Sequence, residues 1–266
     1  MIKRKLKLPL KLLAGLAAIA LILFFAVVIL GRAARNYSLF KIRDIVIREG
    51  SVANSSIDLS FLVGRNLMAI DLEQEERNIA VIYPGYRQIK LIRVFPDRLF
   101  AYFIRRQPIA CVKLYRYFYV DNDAALFDMP LDTAQSANEL PVIYGLDRKI
   151  SGSQAGREYN LNELLLAVNI IKTVRNNRQL RGLKIKRIDV SNPANAAFTI
   201  LLPEPAQVVP PEGIEVRIGQ GYLSDKINIL ASMLIQGRKD WDNIKYIDLR
   251  FKEPVIKFNE KNDRKK

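Results

Sequence analysis

The 266-residue sequence contains no histidine and only one cysteine, Cys111. Without histidine the chain cannot build the Ser–His or Cys–His pairs that activate nucleophiles, and it lacks the commonest zinc ligand. A single cysteine excludes an internal disulfide, and the apolar neighbours of Cys111 predict that it is buried. Catalysis would have to rely on carboxylates, Lys or Tyr alone. The lack of histidine is therefore the strongest argument in the sequence against hydrolytic chemistry, and we expect no metal and no cofactor.

One long apolar segment, residues 12–30, contains no charged residue and no proline. Nineteen helical residues at about 1.5 Å each span roughly 28 Å, close to the ~30 Å thickness of a bilayer's hydrocarbon core. Inside a bilayer a lone segment can satisfy its backbone only as a helix. The sequence therefore predicts a single transmembrane helix over residues 12–31.

The charges around this segment predict its orientation. Five bases and no acid precede it, and Arg32 and Arg35 follow it. The positive N-terminus predicts a cytoplasmic tail, residues 1–11, and export of the rest, as in a type II protein of the inner membrane. A cleaved signal peptide is the alternative, but its apolar region is usually about 7–15 residues long and ends at a small-x-small site. The longer segment here, which ends in Leu30-Gly31-Arg32, favours an uncleaved anchor.

The net charge of +15 is unevenly distributed. Residues 1–35 hold seven Lys or Arg and no acid, so the rest of the chain has 35 bases and 27 acids, or +8. A basic exported domain could bind acidic lipid headgroups or cell-wall polymers. Because its bases are scattered, the pattern favours an ordinary solvated surface. We expect neither a nucleic acid nor a small-molecule substrate as a partner.

Residues 38–107 show the pattern of a small α+β domain. Asp71 followed by Gln74 predicts a capping box at the start of a helix, and Pro84-Gly85 ends that helix. A tight turn is predicted around Pro96. In chain order, the predicted elements are a strand at 40–49, helices near 55–64 and 71–83, and strands at 86–94 and 98–106. This order predicts two helices on one face of a three-stranded sheet.

Pro108 marks the start of a longer, β-rich part, residues 108–258, with two amphipathic helices. Asn160 and Glu163 predict a capping box for the first of these helices. The helices are predicted at 160–180 and 222–236, and the strands at 109–121, 124–128, 141–144, 183–190, 197–202, 214–218, 244–251 and 255–258. Residues 128–139 are predicted to form a loop, and the charged residues 259–266 a disordered tail.

Two local motifs have functional interpretations that the rest of the sequence does not favour. Asp121-Asn122-Asp123 could begin a calcium loop, but the sixth and twelfth positions hold Leu126 and Asp132 instead of Gly and Glu. We therefore predict a β-turn between Val120 and Ala124. Residues 115–119 interleave aromatic residues with Arg, as in proteins that bind single-stranded nucleic acid, yet aromatic-rich strands show this pattern far more often.

The alternating segment 244–251 lies near the end of the chain, where strands often occupy a sheet edge. The unpaired N–H and C=O groups of an edge strand can accept a partner strand. Alternatively, residues 255–258 cover this strand. The pattern alone favours neither arrangement.

Several short motifs occur in a characteristic order and spacing along the chain. They are Phe40-Lys41-Ile42, Gly64-Arg65-Asn66-Leu67, Phe95-Pro96-Asp97-Arg98, Pro108-Ile109-Ala110, Tyr119-Val120-Asp121, Leu126-Phe127 and Tyr246-Ile247-Asp248-Leu249-Arg250-Phe251. Together these motifs resemble those of the FtsQ/DivIB family of bacterial cell division proteins, and the resemblance covers nearly the whole chain. Three positions depart from the family pattern. Arg105 stands where an acidic or polar residue is common, Ala124 where Gly is usual, and Phe251 where Tyr is frequent, so a hydroxyl contact is lost.

The resemblance implies a POTRA-like domain at 38–107, an FtsQ-type β domain at 108–258 and a scaffold without enzymatic activity at the division septum. It implies binding of the small bitopic proteins FtsB and FtsL, and recruitment or linkage of division proteins to septal peptidoglycan synthesis. In the family, the last strands of the second domain receive a partner strand. That property would place the binding edge at residues 248–258. The candidate binding residues are Asp248, Leu249, Arg250, Phe251, Lys252, Glu253, Val255 and Ile256.

Two other functional classes remain as alternatives. A POTRA-bearing secretion or outer-membrane assembly factor usually carries a β-barrel, and no series of ten-residue alternating strands follows here. A membrane-anchored wall hydrolase would need a convergent pair of acids or a metal site. Nothing at local spacing indicates such a pair, and the lack of histidine argues against it.

Overall fold

The computed structural model describes residues 10–36, 38–50, 57–128, 139–152, 154–201, 213–236 and 244–259. Most of the predicted loop 128–139 and of the predicted tails lies outside these residues. The chain divides into two units. The first comprises Met1–Ile82 and Gln88–Ile104, and the second comprises Tyr83–Arg87 and Arg105–Lys266.

The first unit begins with helix α1, Leu10–Asn36, which includes the apolar segment of the sequence. Within the described residues, no helix combines the length and the hydropathy required to span a membrane.

Three strands and one helix follow in the described part of the first unit: β1 (Asp44–Glu49), α2 (Leu72–Ile82), β2 (Tyr86–Val94) and β3 (Arg98–Arg105). The sheet order is β1-β3-β2, with β1 parallel to β3. The prediction of a helix near residues 55–64 needs correction. The described part of this segment forms only the 3₁₀ turn Ser60–Leu62, which Val63 ends, and Gly64 follows with a φ of 83°. A stretch this short fits the few residues over which a 3₁₀ helix is stable.

The core of this unit lies under one face of its sheet. Alternate residues of β3, Leu99, Ala101 and Phe103, are fully buried. The predicted cap of α2 is confirmed, because the Asp71 Oδ1 atom accepts the Gln74 N–H at 3.1 Å. The second half of the predicted capping box differs, because the Gln74 side chain bonds the side chains of Asn78 and Arg77.

The second unit is a long mixed sheet with two helices among its described residues. The strands are β4 (Ala110–Lys113), β5 (Tyr117–Val120), β6 (Leu126–Phe127), β7 (Val142–Tyr144), β8 (Lys184–Asp189), β9 (Ala197–Leu201), β10 (Ile214–Arg217), β11 (Ile244–Asp248) and β12 (Val255–Phe258). The helices are α3 (Asn162–Asn176) and α4 (Leu223–Gln236). Over these residues the strand order is β12-β11-β10-β9-β8-β7-β4-β5-β6.

The strand registers separate the two faces of this sheet. One apolar row crosses seven strands through residues that pair in sequence: Val112, Ile143, Ile188, Phe198, Val216, Ile247 and Ile256. These residues and the buried residues of α3 and α4 belong to, or pack against, one hydrophobic cluster. The neighbouring row, on the opposite face, includes Arg187, Thr199, Glu215, Tyr246 and Lys257. The sheet therefore has an apolar face towards the helices and a polar face opposite.

Three predicted elements of this unit need correction. The predicted strand 109–121 is a hairpin of β4 and β5, whose turn is closed by the Leu114 N–H bonding the Arg116 carbonyl at 2.9 Å. Helix α3 is capped by Leu161, without a side-chain bond, and Glu163 bonds Lys149. Strand β11 ends at Asp248, because the chain turns sharply after it to enter β12.

Candidate partner-binding edge

The outermost strand at one end of the long sheet is β12. It pairs antiparallel with β11, and among the described strands β11 is its only neighbour. Val255 and Phe258 are both 47% exposed, while Ile256 is half-buried and packs against the core. An edge strand points part of its backbone N–H and C=O groups away from its one neighbour. Strand β12 therefore presents the open edge, and β11 lies one strand further in.

At the opposite end of the sheet, a neighbouring segment covers strand β6. The Gly156 N–H donates to the Leu126 carbonyl at 2.6 Å, and the Leu126 N–H donates to the Arg157 carbonyl at 3.1 Å. The Tyr159 N–H donates to the Ala124 carbonyl, also at 3.1 Å. Both residues of β6 are buried. Residues 156–159, the covering segment, thus satisfy backbone groups that would otherwise be available to another chain.

Two of the predicted site residues, Asp248 and Leu249, are buried at the end of β11. The Asp248 carboxylate accepts bonds from the Arg250 guanidinium at 2.6 and 2.9 Å and from the Arg250 N–H at 3.1 Å. These bonds from Arg250 lower the pKa of Asp248 below its ordinary value. The buried carboxylate holds the turn in place rather than facing a partner.

Arg250 also fixes the turn to the loop before β9. Its Nη1 atom donates to the Asn195 Oδ1 atom at 2.6 Å, and its side chain is only 27% exposed. The Leu249 N–H donates to the Arg217 carbonyl at 2.7 Å, which ties the turn to the end of β10. Most of the guanidinium's bonding capacity is used internally, so Arg250 has a structural role in this turn.

The other predicted residues lie on the surface of the turn and of β12. Phe251 is 63% exposed, Lys252 and Glu253 are exposed, and Val255 begins the edge strand. The eight predicted residues thus lie together at the end of β11, in the turn and in β12, but they differ in burial and in orientation. Asp248, Leu249 and Arg250 stabilise the turn, and Phe251, Lys252, Glu253 and Val255 are accessible. Ile256 faces the core.

Several residues of this edge were not among the predicted site residues. Lys257 and Phe258 complete β12 and are exposed. The predicted strand 255–258 contained the signal needed to find them. Arg217 stacks on the Tyr246 ring, 4.1 Å from its centroid, and bonds Glu215 at 2.7 Å. Asn195 lies far away in the sequence, and no local pattern connects it to Arg250.

The polar face of the sheet contains a groove of about 500 Å³, lined in part by Tyr144, Arg187, Asp189 and Glu215. Its charged groups bond to neighbouring residues. Arg187 donates to Thr199, and Asp189 accepts from Ser191. Within the described residues, no group of three or more Cys, Asp or Glu side chains is placed to hold a metal ion. The feature of this sheet that stands out is therefore its edge at β12, which has one neighbouring strand among the described residues.

Comparisons with known proteins identify the family. The family model described as "Cell division protein FtsQ/DivIB, C-terminal" matches residues 110–250, which is more than half of the chain. The chain therefore belongs to the FtsQ/DivIB family of cell division proteins, and the resemblance found in the sequence is confirmed. The matched residues end at Arg250, so β12 lies beyond them.

A curated relative supports the same conclusion. The cell division protein FtsQ of Syntrophotalea carbinolica is 27% identical over 193 residues, which cover 73% of this chain. The aligned part spans 64% of that protein's length, so the chain matches somewhat less than two thirds of this relative.

Proposed function

We propose that this protein is a non-enzymatic scaffold of the division machinery whose strand β12 pairs with a strand of a partner protein. The observation that carries the proposal is the contrast between the two ends of the long sheet. One end is covered by residues 156–159, whereas β12 has a single neighbour among the described strands. Membership of the FtsQ/DivIB family places the role in cell division and favours a scaffold over a secretion factor or a wall hydrolase.

The proposed partners are the FtsB-like and FtsL-like bitopic proteins that the family resemblance implies. Main-chain bonds along β12 would supply affinity, and alternate side chains would supply selectivity. The exposed aromatic residues Phe251, in the turn before the strand, and Phe258, at its end, offer apolar area to a partner. Aromatic side chains of this kind dominate the energetics of many interfaces.

We further propose that residues 12–31 anchor the protein in the inner membrane, with residues 1–11 in the cytoplasm and the rest outside. The unbroken apolar segment and its basic flanks support this proposal, and the backbone there is helical. Residues 38–107 would then form a POTRA-like domain for recruitment to the septum. Residues 108–258 would form the partner-binding domain that links partners to septal wall synthesis.

The experiment is a binding titration of the full-length protein, in detergent micelles, with the purified FtsB-like protein of the same bacterium. We expect Phe251→Ala and Phe258→Ala each to weaken binding about tenfold or more, because each removes exposed aromatic area next to the paired strand. Tyr117→Ala is the matched control, since Tyr117 is 55% exposed but lies on β5, near the covered end of the sheet.

Unfolding midpoints of all three variants should equal that of the wild type, which separates binding from folding. Unchanged affinity of both phenylalanine variants would reject the β12 edge as the partner site. A loss of affinity in Tyr117→Ala as large as theirs would place the interface elsewhere on the sheet.

A further inference from the structure

Tyr222, just before helix α4, has a backbone conformation that is unusual for its residue type. Its φ angle is 50°, in the left-handed region, and its side chain is 83% exposed. Bulky residues rarely adopt this conformation, and glycine adopts it freely. A strained aromatic residue with so little burial does little for the fold, and such strain is found most often at functional sites.

The loop that carries Tyr222 is held rigidly by its own bonds. The Tyr222 carbonyl accepts the Lys226 N–H at 3.0 Å. The Lys226 Nζ atom donates to the carbonyls of Ile218 and Gln220 at 2.8 and 3.4 Å. The exposed ring is therefore presented from a fixed backbone, which lowers the entropy cost of using it as a contact.

The Tyr222 loop lies beside the turn that leads into β12. Strands β10 and β11 are parallel, so the loops that follow them leave the sheet at the same end. A Cβ atom on Gly219 would lie 3.5 Å from the Arg250 Cγ atom, which shows how closely the two loops approach. Because β12 is antiparallel to β11, its first residue, Val255, is at this end as well.

We propose that Tyr222 is a second anchor point for the partner segment that pairs with β12. This inference rests on the proposed function and adds a second contact site for the same partner. After the paired strand, the segment would pass Val255, cross the ends of β11 and β10, and place an apolar side chain on the Tyr222 ring. Two strand spacings of about 4.8 Å each separate β12 from β10, so three or four extended residues at ~3.3 Å each are enough.

The charges around this path indicate the composition of the segment. Lys252 and Lys257 are exposed on the turn and on β12, and Glu253 is the exposed acid of the turn, whereas exposed Asp225 lies on α4 close to Tyr222. Acidic residues opposite β12 would complement its lysines and would speed association at low salt, whereas Asp225 disfavours an acid beside Tyr222. The expected occupant is therefore an extended segment that is acidic where it pairs with β12 and apolar where it reaches Tyr222.

The decisive variant is Tyr222→Gly in the full-length protein, titrated with the FtsB-like protein of the same bacterium. Glycine removes the ring and relieves the backbone strain. We expect binding to weaken about tenfold, with an unfolding midpoint that is unchanged or up to about 4 °C higher. Tyr222→Phe keeps the ring and should bind like the wild type. Tyr115→Ala, at an exposed tyrosine of the β4–β5 turn, should not change the affinity.

The outcomes distinguish this inference from the proposed function. If Phe258→Ala weakens binding and Tyr222→Gly does not, the β12 edge stands and the second anchor is overturned. A lower unfolding midpoint for Tyr222→Gly would show that the ring is structural and would also overturn it. If neither variant changes the affinity, the proposed function fails, and the inference fails with it.

Discussion

The two edge strands of the long sheet differ in how their outward-facing backbone N–H and C=O groups are bonded. Strand β6 is two residues long, is buried, and has backbone groups bonded by residues 156–159. Strand β12 is twice as long, is mostly exposed, and has one neighbour among the described strands. Unpaired edges invite aggregation, so proteins usually cover them. The contrast between the covered edge at β6 and the open edge at β12 therefore supports the proposal that β12 binds a partner strand.

The first unit shows the same protection at β2, an outer strand of its own sheet. The Leu91 N–H of β2 donates to the Glu76 side chain of α2 at 2.8 Å. The Arg93 side chain on the same strand donates to the Leu67 and Ile70 carbonyls, each at 2.7 Å. Strands β2 and β6 are thus contacted at their outer edges by a side chain or by a covering segment. Strand β1, the other outer strand of the first sheet, resembles β12 in having one neighbouring strand among the described residues.

The largest expected effect is at the covered end, from loss of the Arg106–Asp121 ion pair. Its atoms are 2.5 Å apart, and the two side chains are only 7% and 4% exposed. Asp121 also accepts the N–H groups of Asp123 and Ala125, which shape the turn before β6. Arg106→Ala leaves a buried carboxylate unpaired, so we expect the free energy of unfolding in urea to fall by about 3–5 kcal/mol.

Arg87→Ala is the matched control for this change. Arg87 pairs with Asp123 at 2.6 Å, but its side chain is 58% exposed, so its loss should cost less than about 1 kcal/mol. Equal losses for the two arginines would contradict the assignment of Arg106 as the residue that stabilises the covered end.

A smaller effect is expected from Gly156→Ala, which disturbs the covering segment itself. Gly156 has φ 83°, and a Cβ atom there would lie 2.7 Å from the Cβ atom of Pro84. We expect a loss of about 1–3 kcal/mol in unfolding free energy. Hydrogen exchange at the Leu126 and Tyr159 amides should become faster, while exchange at the β12 amides should not change.

Gly152→Ala separates the clash from the backbone strain. Gly152 also has a positive φ, 70°, but nothing lies within 4 Å of its Cβ position. It should cost less than Gly156→Ala and should leave exchange at Leu126 unchanged. Faster exchange at Leu126 in both variants would mean that the covering segment is not held by the fit of Gly156.

Local patterns predicted most strands, because alternation is a property of neighbouring residues. The bounds of β2 and β12 agree with the predicted segments 86–94 and 255–258. The β4–β5 turn was missed because residues 114–116, Leu-Tyr-Arg, contain none of the usual turn formers. The start of α3 was misplaced because Leu161 caps it without a side-chain bond.

The sequence predicted which segment forms the candidate site, but it did not predict the strand pairing and the long-range contacts of that segment. Sequence left open whether residues 255–258 cover the strand before them, and strand pairing decides this question across the turn. The covering segment 156–159 and the Arg250–Asn195 bond join residues that are far apart in the chain. Such contacts depend on the folded sheet, so no local spacing could have revealed them.

The smallest expected effect is at the open end, in the acid dependence of the Asp248–Arg250 pair. Bonds from Arg250 lower the pKa of Asp248 from its ordinary value of 3.8, so its contribution to stability is fully present above that value. The contribution is lost as the pH falls through the lower, folded-state pKa. The difference in unfolding free energy between the wild type and Asp248→Asn should therefore be largest above pH ~5 and should shrink steadily below pH ~4. Glu253→Gln, an exposed acid in the same turn, should follow the wild type throughout. A difference that does not change with pH would mean that the charge of Asp248 does not hold the turn that positions Phe251.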